Sequence, residues 1–275
     1  PARYSDATLD HCRKYLASFR DDDYLLTVEP NDTAGLEVAY RTAETKGEFI
    51  EAFFMEPVMG EGNPGQSITP EFYQRARELT REHGSMFVID SIQAGLRAHG
   101  VLSIVDYPGF ESLDAPDMES WSKALNGGQF PLSVLGLAEI AATVYRHGVY
   151  GNTMTTNPRG LDAASAVLGQ FTSELRDNIR KRGSELKVRL KDLAQELDGA
   201  ITRVQGTGLL LGCKFADRYK VYGTNSIEDY LRRQGLGVIH GGKHSLRYTP
   251  HFAVGADEVD LIVELTRDAL LNGPQ

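Results

Sequence analysis

Apolar positions follow two alternating spacings along the chain: stripes of helical period and short, nearly unbroken runs. Asp32-Thr33 opens a helical stretch that ends near Gly47, and Phe49 to Val58 (FIEAFFMEPV) then reads as a buried strand with polar residues at its rims. Thr69 as N-cap and Pro70 at the first helical position predict a helix start, because proline lacks the N–H that a first turn leaves unbonded. Phe72, Ala76, Leu79 and Thr80 continue an approximate apolar stripe, which Gly84 closes. Ser85 to Asp90 (SMFVID) predicts the next strand, Met118 to Ser122 a short one, Pro131 to Leu137 another, and Ala138 to His147 a helix. Beyond Asn157-Pro158 the pattern changes. Gly160 to Leu197 predicts a long helical stretch broken near Leu168-Gly169. Strands follow at 200–205 and 208–215, a helix at 227–234, strands at 237–240 and 245–249, and a last helix at 256–271. The alternation predicts an α/β fold with a mostly parallel central sheet covered by helices, over residues 1–158. A small α+β domain is expected over residues 159–275.

Composition narrows the class. The 275 residues carry 29 Lys+Arg against 38 Asp+Glu, a formal charge of −9, with 41% hydrophobic residues. That balance predicts a soluble globular chain, and its acidity argues against nucleic acid or an anionic membrane as partner, since both need a basic face. No apolar run approaches the roughly 18 residues of a transmembrane helix. Residues 1–19 alternate charged and apolar positions without a signal-peptide core, so a cytoplasmic protein is expected. Cys12 and Cys213 are the only cysteines, which makes a disulfide framework or cysteine metal site unlikely. The chain begins at Pro1 inside a helical pattern, the mark of a fragment or processed product.

Two glycine motifs fail as phosphate loops. Gly60-Glu61-Gly62-Asn63-Pro64-Gly65 matches G-x-G-x-x-G after a strand, but such a loop must open directly into a helix whose N-terminus faces the phosphates. Here Pro64 interrupts the turn, Glu61 would set an anion beside the phosphates, and the helix waits until Pro70. Gly206-Thr207-Gly208 leads into a strand instead. No P-loop accompanies the acidic strand SMFVID. The histidines at 83, 99, 147, 240, 244 and 251 lack metal-ligand spacing and most read as solvated or capping groups, so no metal is expected. Trp121 reads as packing.

Asp90 ends a buried strand, where open α/β sheets bind ligands, although a turn cap would use the same residue type. Lys123 follows a second strand and precedes Ala-Leu-Asn-Gly-Gly; desolvated there, its amine would become nucleophilic, whereas a single lysine is ordinarily surface charge. Together, 33 residues apart, the two suit a cofactor with a pyridine nitrogen at one end and an aldehyde at the other. Pyridoxal phosphate has that form, with an acid for its pyridinium and a lysine Schiff base.

The blocks FFMEPVMGEGNPGQ (53–66), FVIDSIQAGLRAHG (87–100), SKALNGGQFPLS (122–133), YGNTMTTNPRG (150–160), GTGLLLG (206–212) and LRYTP (246–250) occur in the order seen in class III pyridoxal-phosphate aminotransferases. The chain resembles that family, which includes the ornithine, acetylornithine and 4-aminobutyrate enzymes, over nearly its whole length. The resemblance implies a fold type I transferase that moves an amino group from an amine or amino acid to an α-keto acid. In that likeness Lys123 is similar to the lysine that holds the cofactor as an internal aldimine and shuttles the substrate proton, and Asp90 to the acid that keeps the ring nitrogen protonated. Gln93 aligns with a glutamine near the phenolic oxygen. Thr153 resembles the threonine that reaches the cofactor phosphate of a neighbouring subunit, which implies a homodimer. Arg247 looks like the arginine that takes the substrate α-carboxylate, and Glu61 like the glutamate that pairs with it while a distal amine is processed. Glu56 reads as structural.

Two departures from the family pattern bear on these expectations. The family carries Asp-Glu-[Ile/Val]-Gln where this chain has Asp90-Ser91-Ile92-Gln93. Its N-terminal portion, with the phosphate loop and the ring-stacking aromatic, is absent, which implies exposed apolar surface on the large domain. The alternatives are another reaction of the same fold, such as a racemase, decarboxylase or aminomutase, or a non-catalytic fragment.

Overall fold

The computed structural model describes residues 25–146 and 155–274. They form two compact units: one of residues up to 57, 68–95 and 102–170, the other of 58–67, 96–101 and 171–275.

The first unit begins with α1 (Thr33–Lys46), capped by Asp32, whose carboxylate accepts from Gly35 N at 2.9 Å, and closed by left-handed Gly47. Strand β1 (Ala52–Met55), helix α2 (Pro70–His83) and strand β2 (Met86–Asp90) follow. Strand β3 (Met118–Trp121) and strand β4 (Val134–Leu137) complete a sheet of order β1-β2-β3-β4. The first three strands are parallel and β4 is antiparallel to β3. The expected α/β class with its mostly parallel sheet is what the chain adopts. Thr69 Oγ1 accepts from Phe72 N at 3.2 Å, so the helix starts where a hydroxyl meets an otherwise unbonded N–H. Phe72, Tyr73, Ala76 and Leu79 on α2 are buried with Phe87 and Ile89 of β2, and the Tyr73 and Phe87 rings lie 5.0 Å apart. Arg77 clamps both oxygens of Asp117 at 2.8 Å, and Asp117 also accepts from Phe87 N, which ties α2 to the entry of β3.

Three elements of this unit are much shorter than their sequence patterns. The run 49–58 is a strand only over 52–55. Pro57 has no N–H for a ladder, and Val58 forms a single antiparallel bridge with Ser67. The run 131–137 pairs only from Val134, beyond Pro131. After Ala138, only Glu139–Ala142, α3, is helical; Thr143 and Val144 make a turn, and His147 lies outside the described residues. Strand β4 and its surroundings expose Leu135, Leu137 and Ile140. Helix α4 (Pro158–Gly169), capped by Asn157, closes this unit.

The second unit contains α5 (Ser173–Glu196) and an antiparallel sheet of order β5-β6-β8-β7. Its strands are β5 (Ile201–Thr207), β6 (Leu210–Phe215), β7 (Ile239–His240) and β8 (Ser245–Tyr248). Helices α6 (Ile227–Arg233) and α7 (Ala256–Asn272) complete it. Ile179, Gly183, Leu186, Leu190 and Leu193 recur at three- and four-residue steps, so α5 buries one stripe. Gly183 permits the closest approach: a Cβ there would stand 2.1 Å from the carbonyl oxygen of Gly208 in the β5–β6 turn.

Candidate active site

Strands β2 and β3 are parallel neighbours, with Asp90 opposite Ser120, so both deliver their carboxyl ends to one edge of the sheet. Asp90 is the last residue of β2. Its Oδ1 accepts from Ile92 N at 3.0 Å, closing an Asx-type turn that fixes the carboxylate. The cap and the strand-end position, read from sequence as alternatives, coexist. Gln93 is half-buried in the same turn.

Lys123 follows β3 by two residues and opens a 3-10 helix, Lys123–Asn126, that ends at left-handed Gly127. Its own φ is +47°, a left-handed conformation that costs a non-glycine residue about 1 kcal/mol and that strand-to-helix corners at functional sites often contain. The corner is braced: Ser122 Oγ donates to Leu132 O at 2.6 Å, and buried Asn126 accepts from Gly128 N at 2.7 Å. Lys123 is exposed in this chain. Trp121 is packing, its indole N–H donating to Leu102 O at 3.1 Å. Thr153 lies outside the described residues.

Arg247 sits on β8 with its side chain 7% exposed. Its Nη1 donates to Gly60 O at 2.6 Å and to Glu61 Oε1 at 2.5 Å. The loop 60–65, dismissed as a phosphate loop, instead supplies these acceptors. It is held by Gln205, which donates to Asn63 Oδ1 at 2.7 Å and to Pro64 O at 2.9 Å. Gly65, at φ +84°, lies where a Cβ would stand 2.6 Å from Gln205 O.

Four polar groups have surroundings that the sequence reading did not give them. Arg97 donates to Pro250 O at 2.7 Å and lies 4.8 Å over the Phe252 ring; burial, then the charge of Arg247, push its pKa down to about 10. His99 is not a solvated histidine, since burial and then Arg180 lower it to about 4. His240, in β7 where a strand was expected, lies 2.8 Å from a carboxylate oxygen of buried Glu228. Glu119, in the middle of β3, is 4% exposed, and burial raises its carboxyl above the usual range. An acid inside an otherwise strand-like run was the signal available for it. No group of three or more His, Cys, Asp or Glu suited to a metal occurs among the described residues.

The family model for class III aminotransferases matches residues 14–270. The chain belongs to the class III aminotransferase family. Ornithine aminotransferase 2 of Staphylococcus aureus is 32% identical over 222 residues, 80% of this chain and 52% of that protein. Acetylornithine aminotransferase 1 of Pseudomonas syringae pv. tomato is 30% identical over 212 residues, 76% of this chain and 50% of its own length. The chain therefore spans about half the length of the curated relatives it matches. Among solved structures, acetylornithine aminotransferase from Elizabethkingia anophelis has a TM-score of 0.74 at 25% identity, covering 89% of this chain and 62% of that one. The ornithine δ-aminotransferase of Plasmodium falciparum has a TM-score of 0.75 over 89% of this chain and 61% of its own; at 24% identity it shows the fold alone. That fold is the fold type I architecture of pyridoxal-phosphate enzymes.

Class III aminotransferases depend on pyridoxal phosphate. The donor set at the β2–β3 edge fits that group. A carboxylate fixed through Oδ1 suits a pyridinium N–H, and an exposed primary amine on the adjacent strand end suits an aldehyde.

Proposed function

We propose that the protein containing this chain is an aminotransferase that moves an amino group from an amine or amino acid to an α-keto acid. The observation that carries this reading is Asp90 and Lys123 ending adjacent parallel strands, in a chain of the class III family. When bound, pyridoxal phosphate supplies an aldehyde that captures amines and a ring that withdraws an electron pair from the substrate α-carbon. Lys123 would hold the aldehyde end and, at Nζ, take and return the α-proton. Asp90 would keep the ring nitrogen protonated, and Gln93 would contact the phenolic oxygen. Thr153 would reach the phosphate across a homodimer interface.

Arg247 would take the α-carboxylate of a substrate through its planar fork. Glu61 would neutralise Arg247 whenever no carboxylate occupies it, which suits a donor presenting a distal amine. The names of the Staphylococcus and Pseudomonas relatives, ornithine and acetylornithine aminotransferase, agree with that donor class. No helix among the described residues is long and apolar enough to cross a membrane.

The test uses full-length protein loaded with cofactor and given an amine donor without acceptor. The aldehyde-form absorbance should disappear in a single turnover with release of one carbonyl product, and an α-keto acid should restore it. An unchanged spectrum with racemised donor, or release of carbon dioxide, would replace transamination with another reaction of this fold.

A further inference from the structure

Ser91 follows Asp90 where the family pattern has a glutamate. Its side chain is fully buried, and its Oγ donates to Glu119 Oε1 on the neighbouring strand at 2.5 Å. Glu119 takes two more donors, Ser103 Oγ on Oε2 at 2.6 Å and Ile104 N on Oε1 at 3.2 Å. All three bonds place a donor against a carboxylate oxygen, the arrangement that stabilises an ionised acid. The surroundings otherwise oppose that charge. Asp106 disfavours it electrostatically, and Tyr73 and Tyr107 also feel it. An acid buried at mid-strand is costly and contributes nothing to the core that an apolar residue would not. Its retention calls for a role.

We propose that Glu119 supplies from β3 the carboxylate that the family pattern carries at position 91, and acts through Ser91 as a positioning residue for Asp90. The inference rests on the aminotransferase reading above. Residue 91 is held at every polar atom: its N donates to Ser120 O at 3.0 Å, its O accepts from Gly95 N at 2.7 Å, and its hydroxyl is fixed by Glu119. The Asx-type turn of Asp90 is thus braced from below by Ser91 and from ahead by Ile92 N. Loosening the hydroxyl lets the turn rotate, and Asp90 then meets a ring nitrogen at the wrong angle.

The experiment compares Glu119→Gln, Ser91→Ala, their combination, and the reciprocal exchange Ser91→Glu with Glu119→Ser, all in full-length protein. Three quantities are read: the dissociation constant for pyridoxal phosphate by equilibrium dialysis, the pH midpoint of the cofactor absorbance band, and the apo-protein melting temperature. Glu119→Gln should weaken cofactor binding by about tenfold, the scale of one hydrogen bond to a charged group, and move the pH midpoint. Ser91→Ala should act in the same direction, and the combination should be no worse than Glu119→Gln alone, because the residues act as one unit. The exchange conserves volume and charge and should recover most of the loss. Should Glu119→Gln not fold, Ser91→Ala and the exchange decide the matter. Variants that lower only the melting temperature, with binding and pH midpoint as in the wild type, would make Glu119 purely structural and overturn the proposal. A wild-type protein that binds no cofactor would instead overturn the aminotransferase reading itself.

Discussion

The pair Arg247–Glu61 allows a quantitative prediction for Glu61→Gln. The guanidinium is buried, but the Glu61 side chain is 56% exposed, so the ion pair is half in water. Such a pair contributes about 0.5–1 kcal/mol. Glutamine keeps the shape and a carbonyl acceptor, and the Gly60 O bond at 2.6 Å remains, so the melting temperature should change little. On the proposed function the same energy enters ligand binding with opposite sign, because an incoming carboxylate would have to displace Glu61 from Arg247. Removing the charge should therefore tighten α-keto acid binding about two- to fivefold. The assay is a titration of acceptor against the amino form of the full-length enzyme, followed by absorbance, with a thermal melt of the same sample. Unchanged or weaker acceptor binding with an unchanged melt would refute the idea that Glu61 competes with substrate at Arg247.

Two further outcomes follow from the second unit. Gly183→Ala would gain about 1 kcal/mol from helix propensity alone, but its Cβ would meet Gly208 backbone at 2.1 Å, so net destabilisation of about 2 kcal/mol is expected by urea unfolding; a stabilised variant would contradict the packing of α5. Burial and Arg180 lower the folded pKa of His99 to about 4, against 6.5 for an ordinary histidine, so the unfolded chain binds its proton first as the solution is acidified. Stability should fall as pH drops from 6.5 towards 4, by about 2 kcal/mol after allowing for partial exposure, and His99→Gln should flatten that slope.

Local chemistry made most element positions readable in advance. Thr69, Asp32 and Gly84 announced helix ends because capping depends on residues within one turn, and the α2 stripe was visible because its period is its own. Strand lengths were less readable: Phe49 to Val58 is largely apolar, yet the strand covers only Ala52–Met55, ahead of Pro57, which has no N–H to donate. Segments 58–67 and 96–101 group with the second unit through contacts such as Leu209 N to Arg97 O, 3.0 Å across 112 residues, which no linear pattern exposes. The site divides similarly. Asp90 and Lys123 stand out as strand-end residues, whereas Glu61 and Arg247 are 186 apart and only the family likeness joined them beforehand. Glu119 was overlooked because its meaning depends on two serines brought to it from elsewhere, Ser91 just after β2 and Ser103 in the segment between β2 and β3.

The central claim is that Lys123 is the amine bonded to the cofactor aldehyde. Borohydride reduction of the full-length, cofactor-loaded protein, followed by peptide mass spectrometry, tests it directly. The account predicts a phosphopyridoxyl adduct on the peptide containing Lys123, absent in Lys123→Ala. An adduct confined to another lysine, or none in protein that carries cofactor, would contradict it.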